Sequence, residues 1–224
     1  MPDLSALLFS FPIKPCSNNP FFVYNPSMKR YEDVIDFHGH SCPGLALGYR
    51  VAQRALKELK SRSEDEEIVA IVENNSCAVD AVQVMTGCTF GKGNLIFRDY
   101  GKHVYTFLTR PSGKSIRISL IGEKPAETKE EKKNWDAYAK GDRSKKVLEF
   151  VHSRKAAKTR QILEAGDDEL FAVTKGKSMM PPEAEIYESI RCAGCGENVA
   201  EPKARSQDGL TLCIPCSEQK GKKR

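Results

Sequence analysis

Two histidines and a cysteine lie in one short segment, His38-Gly-His-Ser-Cys42, at positions i, i+2 and i+4. In an extended chain alternate side chains point the same way, so we expect His38, His40 and Cys42 to face one pocket. Pro43 favours extended geometry for Cys42, which then precedes the first turn of a helix. A helix N-terminus stabilises a thiolate, which serves as a metal ligand or a nucleophile. The alternative is a turn that holds these polar residues incidentally.

A second cysteine, Cys77, follows a β-branched apolar segment that predicts a buried strand. It opens the next predicted helix, so its sulfur also lies at a helix N-terminus. If the strands that precede the two helices are sheet neighbours, Cys42 and Cys77 converge. Three protein ligands would leave a fourth position open on zinc or another divalent metal, as in a catalytic site. The candidate ligands are His38, His40, Cys42 and Cys77, and the two cysteines are also candidate reactive thiols.

Three further kinds of residue surround this predicted pocket. Asp80, one helical turn beyond Cys77, can orient a ligand or move a proton, which makes it a catalytic candidate. It can also serve only to favour the helix dipole. Cys88 is either a small buried hydrophobe or a neighbour of the pocket. We expect structural roles for the remaining histidines, His103 and His152.

Four cysteines near the C-terminus form two CxxC pairs, Cys192-Ala-Gly-Cys195 and Cys213-Ile-Pro-Cys216, separated by 17 residues. This spacing is typical of structural zinc, because each CxxC turn brings two thiolates within reach of one ion and two turns complete a tetrahedron. The protein then fills all four positions, so this zinc has no open site for chemistry. Two disulfides or redox-active CxxC motifs are the alternative. So short a segment has no core of its own, and metal binding must supply most of its folding energy.

The elements that position these groups predict an α+β fold, a mixed sheet with packed helices followed by a small zinc-ribbon-type domain. Apolar residues at helical spacing predict helices from Pro43 and from Ala78, and Gly87 is placed to end the second. The charged region 127–163 predicts two helices broken near Gly141. Apolar or alternating segments predict five strands, at residues 68–73, 94–98, 103–110, 115–120 and 170–174.

These elements divide the chain into five regions. The first, which contains the isolated Cys16, is a poorly structured extension, and Pro181-Pro182 marks a linker after the metal-binding core. The extension, core, linker, four-cysteine zinc finger and basic tail are predicted at residues 1–27, 28–180, 181–189, 190–218 and 219–224.

The composition of the 224 residues restricts the class of protein. A hydrophobic fraction of 40% is enough for a buried core and excludes disorder of the whole chain. No apolar segment approaches the roughly 20 residues of a membrane span. CxxC pairs without a secretory signal favour metal binding in a reducing compartment, so we expect a cytoplasmic protein that does not bind membranes. The net charge is +5, and the basic tail can contact nucleic acid or only confer solubility.

Two sequence blocks resemble the FmdE family, which is named for one of the subunits of formylmethanofuran dehydrogenase. They are Asp36-Phe-His-Gly-His-Ser-Cys-Pro-Gly-Leu-Ala-Leu-Gly-Tyr-Arg50 and Asn75-Ser-Cys-Ala-Val-Asp-Ala-Val-Gln-Val-Met-Thr-Gly-Cys-Thr-Phe-Gly-Lys-Gly-Asn94. The resemblance implies an α+β core, a homodimer, and a metal site formed by His38 or His40 with Cys42 and Cys77. The parent enzyme reduces carbon dioxide to a formyl group on methanofuran with a molybdenum or tungsten pterin in a different subunit, and nothing here resembles that subunit.

The C-terminal segment from Cys192 to Cys216 resembles the zinc finger of the TraR and DksA family. Members of that family act on RNA polymerase. The resemblance covers 25 residues and does not extend to the long coiled coil of DksA. It therefore implies the finger and its zinc, and not the activity.

Three hypotheses of function follow. The first is a metal-binding accessory or redox-linked protein of formylmethanofuran dehydrogenase, or of molybdenum or one-carbon metabolism; whether it is an enzyme stays open. Its partners would be a second copy and subunits of that or another redox enzyme. The alternative is a regulatory module whose finger and tail dock on RNA polymerase or nucleic acid. In the third, Cys42 and Cys77 form a thiol relay that cycles to a disulfide.

Overall fold

The computed structural model describes residues 29–60, 62–110, 112–122 and 127–221. The helices are α1 (Tyr31–His38), α2 (Pro43–Leu59), α3 (Ala78–Thr86), α4 (Lys129–Ala139), α5 (Lys145–Glu164), α6 (Asp167–Leu170) and α7 (Ile214–Gly221). The strands are β1 (Ile68–Val72), β2 (Leu95–Phe97), β3 (Val104–Thr109), β4 (Lys114–Leu120), β5 (Phe171–Lys177), β6 (Ser189–Arg191), β7 (Asn198–Ala200), β8 (Arg205–Gln207) and β9 (Leu210–Leu212). The predicted extension 1–27 with Cys16, and the last three residues of the predicted tail, lie outside the described residues.

Five strands form one mixed sheet in the order β2-β1-β3-β4-β5. β1 and β2 are parallel, with Ala70 opposite Leu95, and the other neighbouring pairs are antiparallel. β1 lies inside the sheet and is buried at four of its five positions, which explains its unbroken apolar sequence. The predicted α+β class and mixed sheet are confirmed, and each of the five predicted core strands is present within a few residues of its predicted bounds.

The main apolar core joins the sheet to α2, α3 and α5. Leu47 and Val51 of α2 pack in one buried cluster with Tyr105 and Phe107 of β3, and Ile162 brings α5 into the same cluster. α1 packs through a second cluster, in which its only fully buried residue, Val34, meets residues of α2 and α3. The helices that carry the candidate site residues are therefore fixed on one sheet by apolar burial.

The charged region 127–163 forms two helices, α4 and α5, as predicted. Thr128 begins α4 with a capping box, because its hydroxyl accepts the N–H of Glu131 while the Glu131 carboxylate accepts the N–H of Thr128. Gly141 lies between the helices at a φ of 93°, in the left-handed region that glycine adopts without strain. The break predicted near this residue is confirmed.

Arg50 joins the middle of α2 to the end of α5. Its Nη1 donates to the carbonyl oxygens of Ile162 at 2.7 Å and Leu163 at 2.9 Å. Its Nη2 donates to Oδ1 of Asp167 at 2.9 Å. The last carbonyls of a helix have no partner within the helix, so the Arg50 guanidinium caps α5 while Asp167 offsets its buried charge.

The C-terminal finger consists of two short hairpins, β6-β7 and β8-β9, followed by α7. Its buried cluster is small. Leu212 is 1% exposed and packs with Cys192 and Cys213, against partly buried Val199 and Cys216. A small domain of this kind was predicted after the core.

The first residues of the predicted linker lie against the core. The guanidinium of Arg110 donates to the carbonyl of Pro182 at 3.1 Å, and the N–H of Ala184 donates to the carboxylate of Glu66.

None of the helices in the described part of the chain combines the length and apolar character that a membrane crossing requires.

Candidate metal centre

His38 is the last residue of α1, so the extended geometry predicted from the alternation of His38, His40 and Cys42 is wrong at its first residue. Gly39 follows at a φ of 91°, and its N–H donates to the Ile35 carbonyl at 2.7 Å, which ends the helix. This left-handed residue reverses the chain, and only glycine adopts it without strain. Cys42 itself is extended, as predicted. The turn, rather than strand alternation, therefore brings His38 beside Cys42.

Cys42 and Cys77 both occupy N-cap positions, of α2 and α3 respectively. The Sγ of Cys42 accepts the N–H of Leu45 at 3.3 Å, the role that Ser, Thr, Asp or Asn usually fills. Cys77 makes no such bond, and the N–H of Ala78 donates to the hydroxyl of Ser76 at 3.4 Å instead. The sulfur of Cys77 is therefore not used to cap α3.

The two helix starts meet because α2 carries no side chain at two positions one turn apart, Gly44 and Gly48. A Cβ on Gly48 would lie 2.1 Å from the carbonyl oxygen of Ala78, and one on Gly44 would lie 3.2 Å from the Cβ of Cys77. The first distance is far inside van der Waals contact, so α2 and α3 can approach this closely only with glycine at 48. The spacing Gly44-x-x-x-Gly48 is a sequence signal for this contact, and the predicted site residues did not include it.

The structure brings three candidate ligands together: His38, Cys42 and Cys77. One ring nitrogen of the histidine and the two sulfurs lie within 4.8 Å of one another, and Nε2 of His38 is 3.9 Å from the Sγ of Cys42. Zinc bonds of about 2.0–2.3 Å in a tetrahedron place neighbouring ligand atoms about 3.5–3.8 Å apart. The three atoms are thus close to the spacing of three tetrahedral corners, and one nitrogen with two sulfurs is a donor set that zinc accepts.

Asp80 fixes the orientation of the His38 ring. Its Oδ2 lies 2.7 Å from Nδ1 of His38. A carboxylate can only accept, so in the neutral ring Nδ1 carries the proton and Nε2 keeps a lone pair on the side of Cys42. The His38 side chain is 11% exposed, whereas that of Asp80 is 37% exposed. Of the roles predicted for Asp80, this contact supports the orientation of a ligand.

The surroundings of the Cys77 thiol, Cys42 among them, oppose its ionisation. Burial raises the pKa of Cys77, and the hydrogen bond and charge of Cys42 add to the effect. Ionisation of Cys77 is therefore opposed both by burial and by repulsion from its neighbour. A divalent cation would offset that repulsion, because metal binding to thiols releases their protons.

The other candidates of the core lie outside this group of three. His40 is exposed, and its ring packs against that of His38 with centroids 4.6 Å apart. Cys88 is fully buried and its Sγ donates to the Ile68 carbonyl at 3.3 Å. Burial raises the pKa of Cys88 to about 11, so this thiol behaves as a small hydrophobe. Two exposed histidines belong to neither group of potential ligands in the described residues: His103 and His152.

The four finger cysteines converge as the CxxC spacing predicted. The sulfurs of Cys192, Cys195, Cys213 and Cys216 lie within 4.8 Å of one another, and those of Cys195 and Cys213 are 3.8 Å apart. Backbone N–H groups, first that of Cys213 at 3.2 Å, lower the pKa of Cys192 to about 6. The neighbouring sulfurs, first that of Cys213, raise the pKa of Cys216 to about 12. The backbone N–H groups thus favour the thiolate of Cys192. Ionisation of Cys216 beside the other sulfurs requires a compensating cation.

Two family models match the two parts of the chain that contain these groups. Residues 37–172 match the model of the family described as FmdE, molybdenum formylmethanofuran dehydrogenase operon. Residues 185–220 match the prokaryotic dksA/traR C4-type zinc finger. The first match contains the three converging core residues, and the second contains all four finger cysteines. The structural zinc predicted for the finger is therefore supported by both sequence and geometry.

Two individual proteins are similar to this chain. A protein of Archaeoglobus fulgidus named as a probable S-adenosyl-L-methionine-binding protein is 33% identical over 196 residues, which cover 81% of this chain and 50% of the relative. The chain thus spans about half the length of this curated relative. The crystal structure of a tungsten formylmethanofuran dehydrogenase FmdE-like protein from Syntrophus aciditrophicus matches with a TM-score of 0.54 at 25% identity, over 84% of this chain and 90% of that one. On these matches, the chain belongs to the FmdE family and carries a dksA/traR-type C4 zinc finger.

Proposed function

We propose that the core binds one divalent metal ion, with zinc as the best match, through His38, Cys42 and Cys77. The observation that carries this proposal is the convergence of one nitrogen and two sulfurs within 4.8 Å. The carboxylate of Asp80 on the other ring nitrogen adds support, because metal-bound histidines usually donate that N–H to a carboxylate or carbonyl. The raised pKa of Cys77, due to burial and to the neighbouring Cys42, supplies a further reason for a cation at this place.

The proposed core site differs from the finger in the number of its protein ligands. Three ligands leave a position for an outside ligand, and a metal held there would supply Lewis acidity toward it. Cys42 and Cys77 would neutralise the charge of a divalent ion, and a neutral His38 would complete the set. Asp80 would keep the ring in place and hold the proton on Nδ1. Because Asp80 is partly exposed, its second oxygen can also contact a ligand from solvent.

Metal counting tests the site directly. We expect two zinc ions per wild-type chain, one in the finger and one in the core, and one per chain in Cys42→Ser, because a serine hydroxyl stays protonated where a thiolate is needed. Elemental analysis of the purified, dialysed protein measures this. Cys88→Ala is the matched control and should retain two ions, since Cys88 lies outside the ligand group. One ion in the wild type, or two in Cys42→Ser, would contradict the proposal.

The contact between Asp80 and His38 predicts a graded effect on affinity. Asp80→Asn should weaken zinc binding at the core by about 10- to 100-fold, because loss of the carboxylate partner lowers the basicity and order of the ligand. Competition with a chromophoric chelator measures the affinity of the core while the tighter finger ion stays bound. Asp168→Asn, an exposed carboxylate of α6, is the control and should bind as wild type. If Asp80→Asn bound zinc with unchanged affinity, the result would show that Asp80 does not support the ligand and only interacts with the dipole of α3.

At the level of cellular role, we propose an accessory or redox-linked protein of formylmethanofuran dehydrogenase or of related molybdenum and one-carbon metabolism, acting as a homodimer. The description of the family and that of the structural neighbour support the association with formylmethanofuran dehydrogenase, and the homodimer is proposed from the family resemblance alone. Anaerobic purification of the tagged chain from its own cells tests it. Co-purifying subunits of a molybdenum or tungsten enzyme are expected. A chain that elutes free of any redox subunit, and sediments as a monomer, would remove both parts of the proposal.

Binding of S-adenosyl-L-methionine is a second candidate function, favoured by the identity to the Archaeoglobus fulgidus protein of that name. The matched part is about half of that relative, so the ligand can belong to the other half. Equilibrium dialysis of the zinc-loaded chain with labelled S-adenosylmethionine decides between these cases. Saturable binding of one molecule per chain would support the candidate, and no binding would remove it.

A further inference from the structure

The helical hairpin formed by α4 and α5, residues 129–164, is the most basic element of the chain, and we call it the basic hairpin. Its residues 129–164 contain eleven lysines and arginines but only six acidic residues. The complete chain has a net charge of +5, so this short region carries all of it and the remainder of the chain is close to neutral. Such a concentration of charge produces a strong local electrostatic field that attracts anionic partners.

Four lysines of α4 and its C-terminal end form a ridge on one side of the helix: Lys129, Lys132, Lys133 and Lys140. They line a groove of about 460 Å³ together with Asp136 and Ala137. All four lysines are exposed, and none of them forms a salt bridge with another residue in the described ranges. At about 1.5 Å per residue the ridge is about 16 Å long.

A second groove, of about 480 Å³, lies between α4 and the beginning of α5. Lys129 and Lys133 of the ridge and Lys146 of α5 line it together with two carboxylates, those of Glu130 and Asp142. Lysines of both helices therefore reach this groove, and its two carboxylates offset part of their charge.

The aromatic residues of the basic hairpin hold its two helices together. The ring of Trp135 packs edge-on against Phe150, with centroids 5.6 Å apart. The guanidinium of Arg143 lies 4.0 Å above the ring of Tyr138. A salt bridge of 2.9 Å between Arg154 and Glu131 adds a polar link between the helices. These residues stabilise the hairpin, whereas the lysines of the ridge stay available to a partner.

The chemistry of the ridge selects its partner. A membrane-surface helix needs large apolar side chains beside its lysines, and none of the exposed large apolar side chains in the described residues lies in the basic hairpin. Nucleic acid presents a regular row of negative charge, about one per 3.4 Å of axis on each strand, which matches an extended row of lysines. Lysine contacts phosphate as a point charge and reads no base edge there. We propose that the basic hairpin binds the phosphate backbone of double-stranded nucleic acid without sequence preference, independently of the metal site.

Titration of a labelled DNA duplex of about 20 base pairs with the full zinc-loaded chain tests this proposal. Fluorescence anisotropy at several salt concentrations gives the affinity and its salt dependence. The triple variant Lys129→Gln, Lys133→Gln, Lys140→Gln should bind about tenfold more weakly or worse, and its log–log salt slope should be smaller by about 3. Glutamine keeps helix propensity close to that of lysine, so circular dichroism should show unchanged helix content.

A matched triple variant removes the same charge elsewhere, at three exposed lysines outside both the basic hairpin and the finger: Lys102→Gln, Lys114→Gln and Lys177→Gln. It should keep the wild-type salt slope. If the two triple variants lost equal affinity for the duplex, the effect would depend on net charge alone and the proposal would be overturned. Displacement of the duplex by polyglutamate more readily than by polyphosphate would also overturn it, since that result identifies an acidic protein as the partner.

Discussion

Replacement of one finger cysteine, Cys213→Ser, is expected to unfold the finger and leave the core folded. The finger has strands of only three residues, and its buried cluster contains Leu212, two cysteines and little else. A unit this small buries too little apolar surface to offset the conformational entropy of folding. Zinc binding contributes about 10–16 kcal/mol in finger peptides near pH 7, so the loss of one ligand removes most of the stabilisation.

Hydrogen exchange read by mass spectrometry measures this effect segment by segment. In Cys213→Ser, the amides of β6 to β9 should exchange at the rate of an unfolded chain, whereas those of β1 and β3 should stay protected. Ser206→Ala, an exposed position of β8, is the control and should retain wild-type protection and metal content. Persistent protection of the finger in Cys213→Ser after loss of its ion would show that apolar packing alone folds it.

Gly48→Ala is expected to lower the free energy of unfolding by about 2–3 kcal/mol and to disperse the core ligands. The new Cβ would lie 2.1 Å from the Ala78 carbonyl oxygen, which is backbone and has no rotamer to adopt. In an isolated helix the same substitution would stabilise the helix by about 1 kcal/mol. The net loss of stability in this protein therefore requires that the free-energy cost of the clash be larger than that gain. The helices can relieve it only by moving apart, and this movement separates Cys42 from Cys77.

Urea unfolding followed by two probes gives the change in stability, and metal analysis reports the state of the core site. The control is Gly91→Ala, where a Cβ meets no atom within 4 Å, and stability should change by less than about 0.5 kcal/mol. Gly44→Ala should fall between the two, because its Cβ meets Cys77 at 3.2 Å, a side-chain contact that can adjust. A Gly48→Ala protein with wild-type stability would contradict a fixed α2–α3 contact.

Elements with local signals could be predicted from the sequence. The apolar run of β1, the periodicity of α2 and the glycine that ends α3 each depend on neighbouring residues, and each was found where the pattern indicated. The CxxC pairs belong to the same class, because two residues of spacing already place two sulfurs on one ion. The convergence of Cys192 with Cys213 is non-local, and hydrogen bonds from the Cys213 N–H to the Cys192 sulfur and from the Ala193 N–H to the Thr211 carbonyl accompany it.

The core site depended on contacts that local patterns do not contain. The turn at Gly39 was absent from the prediction because His-x-His-x-Cys spacing fits an extended segment equally well. The pairing of Asp80 with His38 joins residues 42 positions apart, across two helices. The meeting of Cys42 with Cys77 depends on the missing side chain at Gly48, on the face of α2 that packs against α3. Residue types could be predicted from the sequence, but their geometry required the packing of three helices.

α2 contains within 17 residues both the Gly48 contact and the Arg50 cap of α5, and Cys42 precedes its first turn. Arg50 lies about two turns from Cys42. Any force that pulls the end of α5 outward must break the hydrogen bonds of Arg50 to Ile162 and Leu163 or pass into α2. α2 therefore supports both the end of the basic hairpin and one of the core sulfurs, so a substitution that destabilises this single helix is expected to disturb two separate surfaces of the molecule.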